Sequence, residues 1–242
     1  IPDVIDRMKE LRKSGNPINK LYVFGLGDLV EGCGDHYAMQ QHQIQIDQRR
    51  QEMVARRLII KALMAWAPHF DKIVVAAVPG NHGENRKNGK AYTTFGDNMD
   101  VSVFDQAQEA FSMNKIYNHI SFVIPDNELW LTLDIEGVIV GLAHGHQFRT
   151  GGRYSHQKAV AWLSGQAFGM TEMGDADILI SGHFHHLFVV NEGKRTLMQC
   201  PSVDGGSDWF ENMTGKSSYS GTLTFSITPG KTQLPWDNLK VL

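Results

Sequence analysis

The sequence predicts an α/β chain in which mixed sheets pack together with helices outside, and two observations carry that reading. Apolar runs alternate with amphipathic helical stretches through the first half, and short apolar runs separated by turn residues fill the second. From Asp3 to Lys13, residues Val4, Ile5, Met8 and Leu11 recur at helical spacing, and Gly15, Asn16 and Pro17 end that helix. Leu21–Phe24 reads as a buried strand that runs into Gly25-Leu26-Gly27-Asp28. A long helix is expected from about Gln43 to Trp66, with Met53, Leu58, Ala62, Leu63 and Trp66 on its apolar face. Lys72–Val78 is the next strand, ending in Pro79-Gly80-Asn81-His82, and Asn98–Ser112 the next helix. In the second half, Leu129–Ile135 and Val138–Ala143 form a hairpin about Glu136-Gly137 and lead into His144-Gly145-His146. Ser155–Phe168 is helical, and Asp177–Ile180 is a strand that ends in Ser181-Gly182-His183-Phe184-His185-His186. Leu187–Val190 and Thr196–Gln199 pair around Gly193, and Gly221–Thr228 is a last strand. No repeat, low-complexity tract or linker interrupts the chain, so residues 1–242 read as a single domain.

Composition narrows the class. With 42% hydrophobic and 20% charged residues, usage is that of an ordinary globular protein, which argues against disorder and coiled coil. No apolar run reaches the roughly 18 residues of a membrane span, so no membrane association is expected. Cys33 and Cys200 are too few for a disulfide framework and point to a reducing, cytoplasmic setting. A net charge of −3 offers no broad basic field for nucleic acid. Eleven histidines stand out, several beside Gly, Asp or Asn. The start at Ile1, with neither an initiator Met nor a signal-peptide pattern, reads as the interior of a longer chain.

Four of the predicted strands end in a short glycine-containing turn that presents Asp, Asn or His. Strand ends are where α/β folds gather functional groups, and glycine allows the close backbone approach that aims the next side chain into a shared space. Asp offers an anionic oxygen able to bridge two cations, Asn a neutral oxygen and His a borderline nitrogen. That mixture suits Mn, Fe or Zn and is a poor match to all-oxygen calcium cages. Two such ions roughly 3.5–4 Å apart can clamp a phosphoryl group and activate water for in-line attack.

These blocks, Gly27-Asp28-Leu29-Val30-Glu31, Gly80-Asn81-His82-Gly83-Glu84, His144-Gly145-His146 and Gly182-His183-Phe184-His185, resemble four of the five blocks of the calcineurin-like metallophosphoesterases, in the family's order. The resemblance implies a four-layer αββα sandwich of two mixed sheets and a hydrolase of phosphate esters. It implies two divalent ions, manganese foremost and iron or zinc as alternatives, with Asp28 bridging them. Asn81, His144 and His183 would complete the second metal site, and His185 would bind the first. His82 would sit over the substrate as general acid or electrostatic stabiliser. Glu31 stands where many members carry an acid that orients that histidine and favours the protonated form a leaving alkoxide needs. The family's first block, Asp-any-His, has no counterpart upstream of Asp28, and the expectation is that a segment carrying it precedes Ile1.

Alternatives remain at several positions. His146 competes with His144 as ligand and is otherwise expected to face substrate; His186 competes with His185. Arg86, Lys87 and Lys90 follow one turn and Arg149 and Arg153 another, and Arg86 and Arg149 are the candidate phosphate contacts, against a plain reading as solvated loop charges. Arg49, Arg50, Arg56 and Arg57 on the long helix form a solvated face by default, or track a nucleic-acid backbone. Trp209 and Phe210 cover a sheet edge or stack on a base. His36 and His156 are ordinary histidines or line the cleft. The chain is similar to bacterial and phage exonucleases of the SbcD kind, which implies a phosphodiester in DNA as substrate. It leaves a homodimer or a nuclease-complex partner open. A small-molecule phosphatase or cyclic-nucleotide phosphodiesterase, and a non-catalytic metal-binding scaffold, are the rival readings.

Overall fold

The structure, a computed structural model, describes residues 1–34, 36–204, 212, 219–230 and 234–242. The described chain divides into two compact units, residues 1–129 and 130–242. Both are mixtures of helix and sheet, the α/β class the sequence predicts.

The first unit opens with helix α1 (Pro2–Lys13), started by Pro2, whose missing N–H costs nothing at a helix N-terminus. Strand β1 (Lys20–Gly25) follows, then the single turn α2 (Gln40–Gln43) and the long helix α3 (Gln48–Trp66). The helix expected from about Gln43 begins at Gln48 instead. Asp47 is the reason, because its side chain accepts the Arg50 N–H and caps α3 at that point. Strand β2 (Lys72–Ala77), the two-residue strands β3 (Arg86–Lys87) and β4 (Lys90–Ala91), helix α4 (Met99–Ser112) and strand β5 (Ile120–Val123) complete the unit. β1, β2 and β5 form a parallel sheet in the order β1-β2-β5, with Gly25 opposite Ala77. Met8, Leu63, Phe70, Ile73, Val75, Phe104, Phe111 and Ile120 fill its core. β3, β4 and β5 are absent from the sequence expectations; β3 and β4, of two residues each, are too short for a period to register.

The second unit is a mixed sheet in the order β6-β7-β8-β10-β9. β6 (Trp130–Ile135) and β7 (Val138–Ala143) form the expected hairpin, with Glu136 and Gly137 both at positive φ, as a two-residue turn of that twist requires. Helix α5 (Ser155–Phe168) leads to β8 (Ile178–Ser181), which pairs in parallel with both β7 and β10 (Arg195–Gln199). β9 (Phe188–Glu192) closes one edge antiparallel to β10. Ala143, Phe148, Ala159, Leu163, Met173, Leu179 and Leu197 form this unit's core. β11 (Leu223–Ile227) and β12 (Trp236–Val241) make a separate antiparallel ribbon. β12 also goes unpredicted, since WDNLKV carries polar groups on both faces. Trp209 and Phe210 lie outside the described residues. Among the described residues no helix is long and apolar enough to cross a membrane.

Candidate active site

Parallel pairing brings predicted site residues to common sheet edges. In the first unit β1 and β2 end in register at Gly25 and Ala77, so the turns carrying Asp28 and Asn81-His82 leave the same edge. In the second unit Ala143 is opposite Ser181, so His144 and the His183–His185 turn leave one edge too.

The first-unit turns are tied together by hydrogen bonds. Asp28 lies in the left-handed region at φ 55°, and its Oδ1 accepts the backbone N–H of His82 at 2.8 Å. A Cβ at Gly80 would overlap the Asp28 backbone nitrogen and carboxylate, so glycine there is a requirement of the close approach. Behind both turns stands Asp100, 0% exposed on the first turn of α4. Its carboxylate accepts the N–H groups of Asp28 (2.8 Å), Leu29 (2.9 Å) and Gly80 (3.0 Å). Asn98 caps α4 by accepting the Asp100 N–H at 2.9 Å and donates to the Gly80 carbonyl at 2.8 Å. Burial, then the neighbouring Asp28 charge, push the Asp100 carboxyl up to about 6, against the three N–H bonds that favour its anion. Asp100 and Asn98 were read from sequence only as the start of a helix; an N-cap pattern says nothing of what else a capping side chain reaches.

His82 is held on two sides. Its Nδ1 lies 3.0 Å from the Glu31 carbonyl oxygen and 3.6 Å from the Glu31 carboxylate. A ring N–H donating to that carbonyl fixes the tautomer and leaves Nε2 for other partners. His36 stacks on the His82 ring, centroids 4.2 Å apart and planes within 3°. Burial first, and then the His82 and Arg86 charges, lower the His36 pKa to about 4, so it stays neutral. Glu31 also accepts from Tyr37 Oη at 2.9 Å. Its loop is pinned by two glutamines: Gln40 Nε2 donates to the Glu31 carbonyl and Gln51 Oε1 accepts the Gly32 N–H. Neither glutamine carries a sequence signal for this role. The Cys33 thiol donates to Gln48 Oε1 at 2.7 Å. The Arg86 guanidinium is engaged by Glu84, at 2.9 and 2.8 Å.

In the second unit, His144 is 1% exposed and its Nε2 faces His183 Nδ1 at 3.2 Å. His146 joins them, its ring centroid 5.4 Å from that of His144 and 6.3 Å from that of His183. His183 and His185 both have left-handed backbones, at φ 63° and 58°. Such conformations cost of order 1–3 kcal/mol each in non-glycine residues and gather at functional sites. His185 and Arg149 are exposed, and His186 is fastened by its Nδ1 to the Phe184 carbonyl oxygen at 2.8 Å. His156 stacks between Tyr154 and Phe188. The imidazole nitrogens that converge in the second unit are of the kind that suits a borderline divalent ion.

The family model for calcineurin-like phosphoesterase matches residues 1–187. No curated protein matches the chain. Among solved structures it is similar to a conserved protein from Streptococcus pneumoniae described as a predicted phosphoesterase: 11% identity, 85% of this chain and 79% of that one, TM-score 0.36. It is also similar to zinc-complexed Vps29 from Entamoeba histolytica, at 13% identity over 88% of this chain and 87% of that one, TM-score 0.38. An archaeal phosphodiesterase aligns at 11% identity over 93% and 82% of the two chains, TM-score 0.34. The sequence match, spanning all four blocks, decides the matter: the chain belongs to the calcineurin-like phosphoesterases and is a metal-dependent hydrolase of phosphoric esters.

Proposed function

We propose that the chain is a phosphodiesterase with a dinuclear metal centre acting on nucleic acid. Asp28 would bridge the ions, Asn81, His144 and His183 would complete one site, and His185 would contribute to the other. When bound, the ions supply Lewis acidity toward the phosphoryl oxygens and lower the pKa of a water. Manganese fits the oxygen-rich share of this donor set; iron and zinc fit its imidazoles. The family match covers residues 1–187 and so reaches from the first unit into the second, which supports one metallophosphoesterase domain across residues 1–242.

The observation that carries the catalytic reading is the fixation of His82. A histidine needed only for packing has no use for a carbonyl and a carboxylate on Nδ1 together with a stacked neutral ring. In this role Nε2–H gives its proton to the departing ester oxygen as the P–O bond breaks. Glu31 keeps the other nitrogen in place, and His36 stays uncharged beside the imidazolium.

The test compares leaving groups. His82→Gln should lower kcat for a diester with a poor alkoxide leaving group by about 10²–10⁴, and far less for a p-nitrophenyl ester, whose leaving group needs no proton. Equal losses on both substrates would remove His82 from the acid role. The likeness to SbcD-type exonucleases and the basic residues after the His82 turn support a nucleic-acid substrate over a small phosphate ester.

A further inference from the structure

Immediately after the Asn81-His82 turn the chain makes a tight hairpin, β3–β4, closed by Asn88 and Gly89 at φ 52° and 71°. Arg86 pairs with Ala91 and Lys87 with Lys90, and the ladder continues through the Tyr92 N–H to the Asn85 carbonyl at 3.2 Å. Strand alternation therefore puts Asn85, Lys87, Lys90 and Tyr92 on one face and Arg86 with Ala91 on the other. Arg86 is spent on Glu84 and on the Gly89 carbonyl, 3.4 Å away, and so holds the hairpin's own shape. The opposite face keeps two exposed lysines directly across from each other, with no acidic partner among the described residues. Like charges placed so destabilise a hairpin unless an anion lies between them. Beside them Tyr92 is 64% exposed, and Phe95 a little further on is 49% exposed. A bridge from Glu84 to Asn98 and the Asn85 side-chain bond to the Asp97 carbonyl anchor the hairpin's base.

Paired cations that converge on one phosphate, next to an open aromatic ring that accepts a base, are the elements by which proteins hold single-stranded nucleic acid. A duplex leaves no unstacked base for Tyr92, and an acidic peptide has no use for the ring's face. We propose that this face of the β3–β4 hairpin is a single-stranded nucleic-acid contact, Lys87 and Lys90 taking the backbone and Tyr92 stacking on a base. The proposal rests on the phosphodiesterase reading and names the substrate class of that site.

Fluorescence anisotropy with a labelled oligothymidylate and its ribose counterpart, in chelator to prevent cleavage, tests it across a salt series. The double variant Lys87→Gln/Lys90→Gln should reduce the slope of log affinity on log salt by about 1.4. Tyr92→Ala should weaken binding roughly tenfold, and Tyr92→Phe should restore it, a rescue that a general loss of fold would not show. A preference for deoxyribose or ribose identifies the source of the strand. Unchanged affinity and slope in the double variant would overturn the proposal, as would loss of binding to polyglutamate with oligonucleotide binding intact. Hydrolysis of bis-p-nitrophenyl phosphate by the unaltered protein is measured separately. Its absence would sink the phosphodiesterase reading whatever the anisotropy gives.

Discussion

At the scale of single residues, the first-unit turns depend on a buried carboxylate that no motif names. Asp100 accepts three backbone N–H groups, those of Asp28, Leu29 and Gly80. Orphaning a buried donor costs roughly 1–3 kcal/mol, and one of the three bonds is buried and two half-buried, so Asp100→Ala should lower the unfolding free energy by about 3 kcal/mol in a urea titration. Two titrations with opposite signs also meet here. His36 has its folded pKa lowered from 6.5 to about 4, so the unfolded chain takes up that proton first and stability falls as pH drops from 6.5 toward 4. Asp100 has its folded pKa raised from 3.8 to about 6, so the folded chain takes up that proton first and stability rises as pH drops through 6. The unaltered protein shows the sum of the two. Comparing it with His36→Phe in metal-free urea melts isolates the first: the variant should gain on the parent steadily between pH 6.5 and 4. A constant difference across that window would mean that His36 is not held neutral in the folded chain.

At the scale of elements, what the sequence reveals depends on length and period. The hairpin of β6 and β7 and helix α5 carry full patterns and stand where expected. Helix α3 starts later than the expected Gln43 because its cap is set by a single bond, in which the Asp47 carboxylate accepts the Arg50 N–H. That bond is checkable: Asp47→Ala should cost about 1 kcal/mol, or roughly 2–4 °C in a thermal melt, with hydrolysis unaltered. The ligand blocks were legible for a different reason. Gly-Asp, Gly-Asn-His and Gly-His-any-His each couple a turn constraint to a side chain able to ligate metal, so spacing and chemistry point to the same family. Asp100, Asn98, Gln40 and Gln51 were not legible, because polar residues on helices look the same whether they face solvent or brace a loop.

At the scale of the whole molecule, the family match covers residues 1–187 and net charge is −3. Attraction to a polyanion must then come from local features such as the lysine pair of β3–β4 rather than from the protein's overall field. Chemically, Asp28, His183 and His185 sit on left-handed backbones that a purely structural turn would fill with glycine, which supports the proposal that these donors hold metal. The most direct test of that proposal is hydrolysis of bis-p-nitrophenyl phosphate by metal-stripped and manganese-loaded protein, beside Asp28→Asn, with bound metal assayed in each. Turnover should require manganese, and Asp28→Asn should lose bound metal together with at least about a hundredfold in kcat/KM. Equal rates with and without metal, or an Asp28→Asn variant as active as its parent, would contradict a metal centre built on Asp28.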